Sequence, residues 1–174
     1  APEIRPGIVH RLDKDTSGVI LIAKNQRYFE YLKKLFQTGQ IKKTYLALVW
    51  GEVKPKTGEI AKPISLKSGG VKRTVWKGKM EKEAITEYKV LGRIKGFTYL
   101  EVKPKTGRTH QIRVHMKYLN HPVVCDSLYN PDKPCPFGFS RLALHAKSIE
   151  FKNLKGETIK IESSLPKEFK KIVK

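Results

Sequence analysis

The stretch Thr44-Tyr45-Leu46-Ala47-Leu48-Val49-Trp50 decides the architecture. Its side chains are apolar on both faces, as expected of a strand at the centre of a sheet rather than at its edge. A central strand needs partners on either side, and the sequence supplies several. Ala84–Leu91 and Phe97–Val102 read as two strands joined by a turn around Lys95-Gly96. Ser148–Phe151 and Thr158–Ile161 read as a final hairpin that turns at Leu154–Gly156. Val19 to Ala23 is a short continuous apolar run and predicts one more buried strand.

Helices are fewer. Phe29, Leu32, Leu35 and Phe36 recur at helical spacing between Gln26 and Thr38, with Asn25 placed as N-cap and Gly39 as the stop. A second helix is expected from about Thr109 to Leu119, with Ile112, Met116 and Leu119 on one face and Arg113 at the edge of that stripe. Pro166 opens a short basic helix. The stretch Lys62–Lys79 is basic, carries no acidic residue and contains Gly69-Gly70, so it reads as an exposed hairpin or loop. Strands outnumber helices and cluster along the chain. The expected class is α+β, a largely antiparallel mixed sheet with flanking helices. No repeat or linker divides residues 1–174, which are expected to form one domain.

Composition narrows the function. The 174 residues include 36 Lys+Arg against 16 Asp+Glu, a formal charge of +20. Such a surface attracts polyanions. No apolar run approaches the roughly 18 residues of a membrane span, and the start of the chain has no signal-peptide pattern. Two cysteines, Cys125 and Cys135, do not suggest a secreted disulfide scaffold and are expected to be a buried thiol and a loop thiol. His110, His115, His121, Cys125 and Cys135 match no common zinc spacing, so no metal is expected. A cytoplasmic, monomeric protein that binds nucleic acid fits these features.

Two segments carry chemistry. His10-Arg11-Leu12-Asp13-Lys14-Asp15-Thr16-Ser17-Gly18 is a polar loop between apolar runs, where a rigid scaffold can present functional groups. A carboxylate beside an arginine can serve as nucleophile or base. Alternatively, Asp13 or Asp15 caps a turn with Thr16 and Ser17. Lys103-Pro104-Lys105-Thr106-Gly107-Arg108-Thr109-His110-Gln111-Ile112-Arg113-Val114-His115-Met116 is a strand end, a glycine turn and a helix start rich in donors. Such an arrangement suits a phosphate or carboxylate.

The motifs HRLDKDTSG, KKTYLALVWG, KTGRTHQIRVHM, NHPVVCD and RLALHA occur in this order between about Pro6 and Phe151. Together they resemble the RluA family of pseudouridine synthases, whose catalytic domain has its own mixed α+β fold. The resemblance implies an isomerase that converts uridine to pseudouridine in large-subunit ribosomal RNA or transfer RNA, without cofactor. It implies Asp13 as the catalytic aspartate, Arg113 as its partner, and Tyr45 against the target base. Arg11 would hold the flipped-out state, with Arg108, His110, Lys72 and Arg73 as further RNA contacts. Trp76, between basic residues, is open to stacking on a base. Family members usually carry an upstream Lys-Pro-x-Gly segment and often a small RNA-binding domain. Residues 1–174 are expected to be the catalytic domain without them. Cys125 and Asn130 stand where relatives commonly have glycine.

Two other functions compete. A non-catalytic RNA-binding module in ribosome assembly would share the charge but has no chemical reason to keep Asp13, Tyr45 and Arg113 together. A metal-dependent nuclease would need clustered carboxylates, and only Asp13 and Asp15 come close.

Overall fold

A computed structural model describes residues 7–67, 70, 72–76 and 78–172. Gly69, at the expected hairpin turn, Pro6, and the end of the basic tail lie outside the described residues. The elements in chain order are β1 (Ser17–Gly18), α1 (Gln26–Gln37), β2 (Lys42–Trp50), β3 (Thr57–Ala61), β4 (Ile64–Leu66), β5 (Arg73–Thr74), β6 (Lys79–Lys82), β7 (Ile85–Ile94), β8 (Phe97–Pro104), α2 (Gln111–Tyr118), β9 (Leu144–Lys152), β10 (Thr158–Glu162) and α3 (Lys167–Ile172).

Seven strands form the main sheet in the order β1-β9-β2-β8-β7-β3, with β10 also paired to β9. Every pairing is antiparallel except the short parallel seam of β1 on β9. The α+β class with a largely antiparallel sheet is therefore observed. β2 lies between β8 and β9, as its two apolar faces require, and Ala47, Leu48 and Val49 have no exposed surface. These residues pack with Leu100, Val102, Ile112, Met116, Val123 and Val124 in the principal core. Burying a side chain such as Leu48 or Leu100 contributes about 1.5–3 kcal/mol. Between Thr44 and Tyr45 the β2–β9 register slips, pairing Thr44 with Ser148 but Tyr45 with Ala146. Such a bulge bends the ladder and re-aims the side chains beside it.

Helix α1 begins where the sequence places it. The Asn25 side chain accepts a hydrogen bond from the Tyr28 N–H at 2.9 Å, and Gly39 takes φ +69° just past the helix end. Leu32 and Leu35 face a second core containing Val19, Leu21, Ile41, Ile149 and Phe151.

Val19–Ala23 is not the strand its composition suggests. Only Ser17 and Gly18 pair with β9, and the following residues leave the sheet. The edge of β9 that they would need, Ser148–Lys152, is taken by β10. The run still alternates, with Val19 and Leu21 buried and Ile20 and Ile22 exposed. The basic Lys62–Lys79 stretch is also more ordered than an exposed hairpin: β4, β5 and β6 make a separate three-stranded sheet. Its anchor is Ile64, buried with Ala84, Val114 and Tyr129.

The cysteines differ from expectation as well. Cys125 and Cys135 are bonded to each other rather than being separate thiols. Cys125 has φ +57°, the left-handed backbone that explains a glycine preference at this position, whereas Asn130 does not adopt a positive φ. No helix among the described residues is long and apolar enough to cross a membrane.

Candidate active site

The loop before β1 is closed by backbone: the Thr16 N–H donates to the Asp13 carbonyl at 3.0 Å. The Asp13 carboxylate is thereby left free of the turn and meets Arg113, Nη1 to Oδ2 at 3.4 Å. Gly18 secures the end of this loop. It has φ +119°, and any Cβ there would run into the Ala146 carbonyl of β9. Asp15 is exposed.

Arg113 is held more tightly from its other side. Its Nε and Nη2 donate to Asp126 Oδ2 and Oδ1 at 2.8 and 2.7 Å. Asp126 is 1% exposed, and its Oδ1 also accepts from the Leu128 and Tyr129 N–H groups. The Tyr129 ring lies against the guanidinium, 5.1 Å from centroid to carbon. Burial opposes the charge on Arg113, but the hydrogen bonds and charge of Asp126, followed by Asp13, outweigh it and raise the group above its ordinary value. Arg113 is thus buried within α2 rather than standing at the rim of an apolar stripe. Two carboxylates share one cation: Asp126 grips it with the short pair of bonds, and Asp13 takes the remaining edge.

Tyr45 lies on β2 beside Asp13. Burial, reinforced by the Asp13 charge, pushes its phenol up to about 12. It is neutral near pH 7, so the side chain offers a ring rather than a phenolate base. His110 closes the floor. It takes the strained φ of +57° at the start of α2, and its Nδ1 lies 2.9 Å from the Tyr129 hydroxyl. Burial, the largest influence, lowers its basicity despite the nearby carboxylates. The same hydroxyl accepts the backbone N–H of Arg73 at 2.8 Å, tying the small sheet to the site.

Asp13 and Tyr45 open into a cavity of about 520 Å³ that also contains His10, Arg11, Lys43, Lys105, Arg108 and His110. This size suits a small ligand or a single nucleotide. Four cations line it against one carboxylate, Asp13. Gln111 sets the glycine turn on its wall: its Oε1 accepts from the Thr106 hydroxyl and the Arg108 N–H, while Nε2 donates to the Ile85 carbonyl. His10 accepts the Leu21 N–H at 2.7 Å and stacks on Phe36, and burial plus the charge of Lys43 push it down to about 4. A larger cavity, about 950 Å³, contains Thr44, Leu46, Glu101 and Glu150 but none of Asp13, Tyr45 or Arg113.

The structure brings Asp13, Tyr45, Arg11, Arg108 and His110 together at this cavity, with Arg113 behind Asp13. Lys72 and Arg73 do not line it: Lys72 is exposed just before β5, and Arg73, half-buried, begins β5 and reaches the site through its backbone bond to Tyr129. Sequence reading passed over Asp126, Tyr129 and Lys43. Each stands in or beside a quoted motif, but only the folded chain reveals its partner. The histidines have partners other than a metal: His115 lies against Thr86 and the Lys62 carbonyl, and His121 against the Trp50 carbonyl. Among the described residues no group of three or more His, Cys, Asp or Glu is placed to hold an ion.

Residues 2–118 match the family model described as RNA pseudouridylate synthase. Over 167 residues the chain is 40% identical to ribosomal large subunit pseudouridine synthase D of Borreliella burgdorferi, covering 96% of this chain and 51% of that protein. It is 37% identical over 174 residues to ribosomal large subunit pseudouridine synthase C of Pasteurella multocida, covering 95% and 53%. The chain thus spans about half the length of these curated relatives. The solved structure of human RNA Pseudouridylate Synthase Domain Containing 1 superposes with a TM-score of 0.80 at 28% identity, covering 91% of this chain and 69% of that one. With the family model matched across more than half its residues, the chain belongs to the RNA pseudouridylate synthases of the RluA type.

Proposed function

We propose that this chain is the catalytic domain of an RNA pseudouridine synthase acting on a uridine in large-subunit ribosomal RNA. One observation carries the reading: a lone carboxylate, Asp13, is held by a buried guanidinium beside a neutral tyrosine ring, in a nucleotide-sized cavity whose other charged lining residues are cations. The cations suit a polyanionic substrate. The target base must leave its stack to reach such a recess, and Arg11, exposed at the rim, braces the space left behind.

Isomerisation breaks the bond from N1 to C1′ and forms one from C5 to C1′. The proton on C5 leaves, and N1 gains one. Asp13 starts this exchange, either as nucleophile at C1′ or as base at C2′. Arg113 orients Asp13 and balances its charge. Tyr45 stacks on the uracil while it turns. Substrate and product are isomers, so the chemistry requires no net oxidant or energy source. The names of the two bacterial relatives support ribosomal RNA as the substrate class.

The test is tritium release from ribosomal RNA labelled at C5 of uridine, comparing the chain with Asp13→Asn. Release that vanishes in the variant while RNA affinity stays within about twofold supports the reading. Equal loss of affinity, or release that survives, refutes it.

A further inference from the structure

Lys43, Lys105 and Arg108 are cations of the cavity that the proposed chemistry leaves unused, and Lys43 stands nearest in the chain to Tyr45. It is two residues from Tyr45 on β2, and both side chains enter the same cavity. Along a strand that is a separation of about 7 Å, comparable to the span from a nucleobase to its own phosphate. Its ammonium carries three donors, and one is used, to the Thr106 carbonyl at 3.0 Å. Residue 107 is glycine, and a Cβ there would come into van der Waals contact with the Lys43 nitrogen at 3.5 Å, so the glycine turn lies directly beside the ammonium.

Neighbouring lysines are neutralised. Lys42 pairs with Glu150, Lys103 with Glu101, Lys105 with Glu87, and Lys147 with Glu162. Among the described residues Lys43 has no carboxylate partner, although it is far more enclosed than Lys42. Its nearest charged influence is another cation, Arg108, whose Nε is spent on the Glu83 carbonyl. A recessed cation beside a second cation is unfavourable until an anion arrives.

Resting on the isomerase reading, we propose that Lys43 and Arg108 form a phosphate subsite for the RNA backbone, gripping the phosphodiester of the nucleotide whose base lies on Tyr45. This separates two jobs on one strand face: Tyr45 receives the base and Lys43 fixes its phosphate, which sets the depth to which a flipped nucleotide enters. Burial, followed by the charge of Arg108, holds Lys43 down at about 8, so in the empty subsite Lys43 loses its charge in mildly alkaline solution while Arg108 keeps its own. The titratable and charged groups that share its cavity are His10, Arg11, Asp13, Tyr45, Lys105, Arg108 and His110, and on its other side Lys43 borders the larger cavity with Glu101, Lys103 and Glu150. Of these, His10 at about 4 and Tyr45 at about 12 lie outside that range.

The experiment measures the Kd of a fluorescein-labelled transcript of large-subunit ribosomal RNA against salt, near pH 7 and near pH 9. It compares the unaltered chain with Lys43→Met and Lys43→Arg. Near pH 7, Lys43→Met should weaken binding about tenfold and reduce the slope of log Kd against log salt by about 0.9. The unaltered chain should lose most of that increment near pH 9, and Lys43→Arg should keep it at both values. In tritium release, Lys43→Met should raise KM about tenfold with kcat within about threefold. An unchanged salt slope in Lys43→Met, or a pH response that persists in Lys43→Arg, overturns the subsite. If Lys43→Met fails to fold, the pH comparison of the unaltered chain with Lys43→Arg decides alone. A chain that binds no RNA even at low salt refutes the functional reading itself.

Discussion

Substituting Asp126 by Asn tests whether Asp13 depends on a partner it never touches. The wild-type carboxylate accepts four hydrogen bonds, two from Arg113 and two from the backbone at Leu128 and Tyr129. Asparagine keeps one acceptor oxygen, which satisfies the two backbone donors. It presents an NH2 group to the guanidinium where Oδ2 stood, so one Arg113 donor faces another donor and the cation loses its closest anion. Breaking a buried ion pair by removing one member costs about 3–5 kcal/mol. With the backbone bonds retained, the lower end applies, about 3 kcal/mol. For a chain of this length that corresponds to a fall in Tm of roughly 6–12 °C. Urea unfolding of the wild type, Asp126→Asn, Arg113→Met and the double variant gives the coupling directly. The double variant should be at least about 1.5 kcal/mol more stable than the sum of the single losses predicts. Tritium release should fall about 10- to 100-fold in Asp126→Asn, since the guanidinium can then swing away from its position against Asp13. A stability loss below about 1 kcal/mol, or a coupling near zero, refutes the claim that Asp126 holds Arg113.

Acid should destabilise the fold before the carboxylates titrate. Burial lowers His10 to about 4 and also lowers His110, His115 and His145 below 6.5. The unfolded chain therefore takes up protons first, so stability is complete above pH 6.5 and declines as pH falls from there toward 4. After allowance for solvent screening His10 alone accounts for about 1 kcal/mol; equal urea midpoints at pH 7 and 4.5 contradict this. Gly18→Ala should cost about 3 kcal/mol or more, because the backbone is left-handed and the methyl meets the Ala146 carbonyl; a change in urea midpoint worth less than about 1 kcal/mol contradicts it. Trp76→Ala should weaken RNA binding by about 1–3 kcal/mol, the value of one stacked base, while leaving the urea midpoint unchanged because the ring is 71% exposed. Unaltered RNA affinity excludes Trp76 from the interface.

Local patterns proved readable where local forces decide. Helix α1 carries its own cap in Asn25 and its own stop in Gly39, and the hairpin of β7 and β8 turns at Lys95-Gly96, where both residues take positive φ. β2 is central because both of its faces are apolar. Val19–Ala23 failed because its composition cannot show that β10 already occupies the neighbouring edge of β9. The basic stretch gained a sheet because Ile64 finds a distant pocket with Val114 and Tyr129, information absent from the charge run itself. At the candidate site, the motifs that resemble a family single out Asp13, Tyr45 and Arg113, and the fold places the three side by side. Asp126 was not legible, because a carboxylate inside an apolar motif announces a buried partner without saying which. Lys43 was obscured by Lys42: two adjacent lysines look alike in sequence, yet strand alternation sends one to Glu150 and the other into the cavity.

The parallel seam between β1 and β9 consists of two residue pairs. Asp13 hangs from this seam, whereas Arg113, Asp126 and Tyr45 belong to the helix, loop and strand packed on the principal core. Local opening free energies follow such differences in anchorage. The Ser17–Gly18 contact is therefore expected to open on heating before the core does, which faster amide exchange at Ser17 and Gly18 than in β2 would show. On the role proposed for Asp13, activity should be lost on heating before the supporting domain melts.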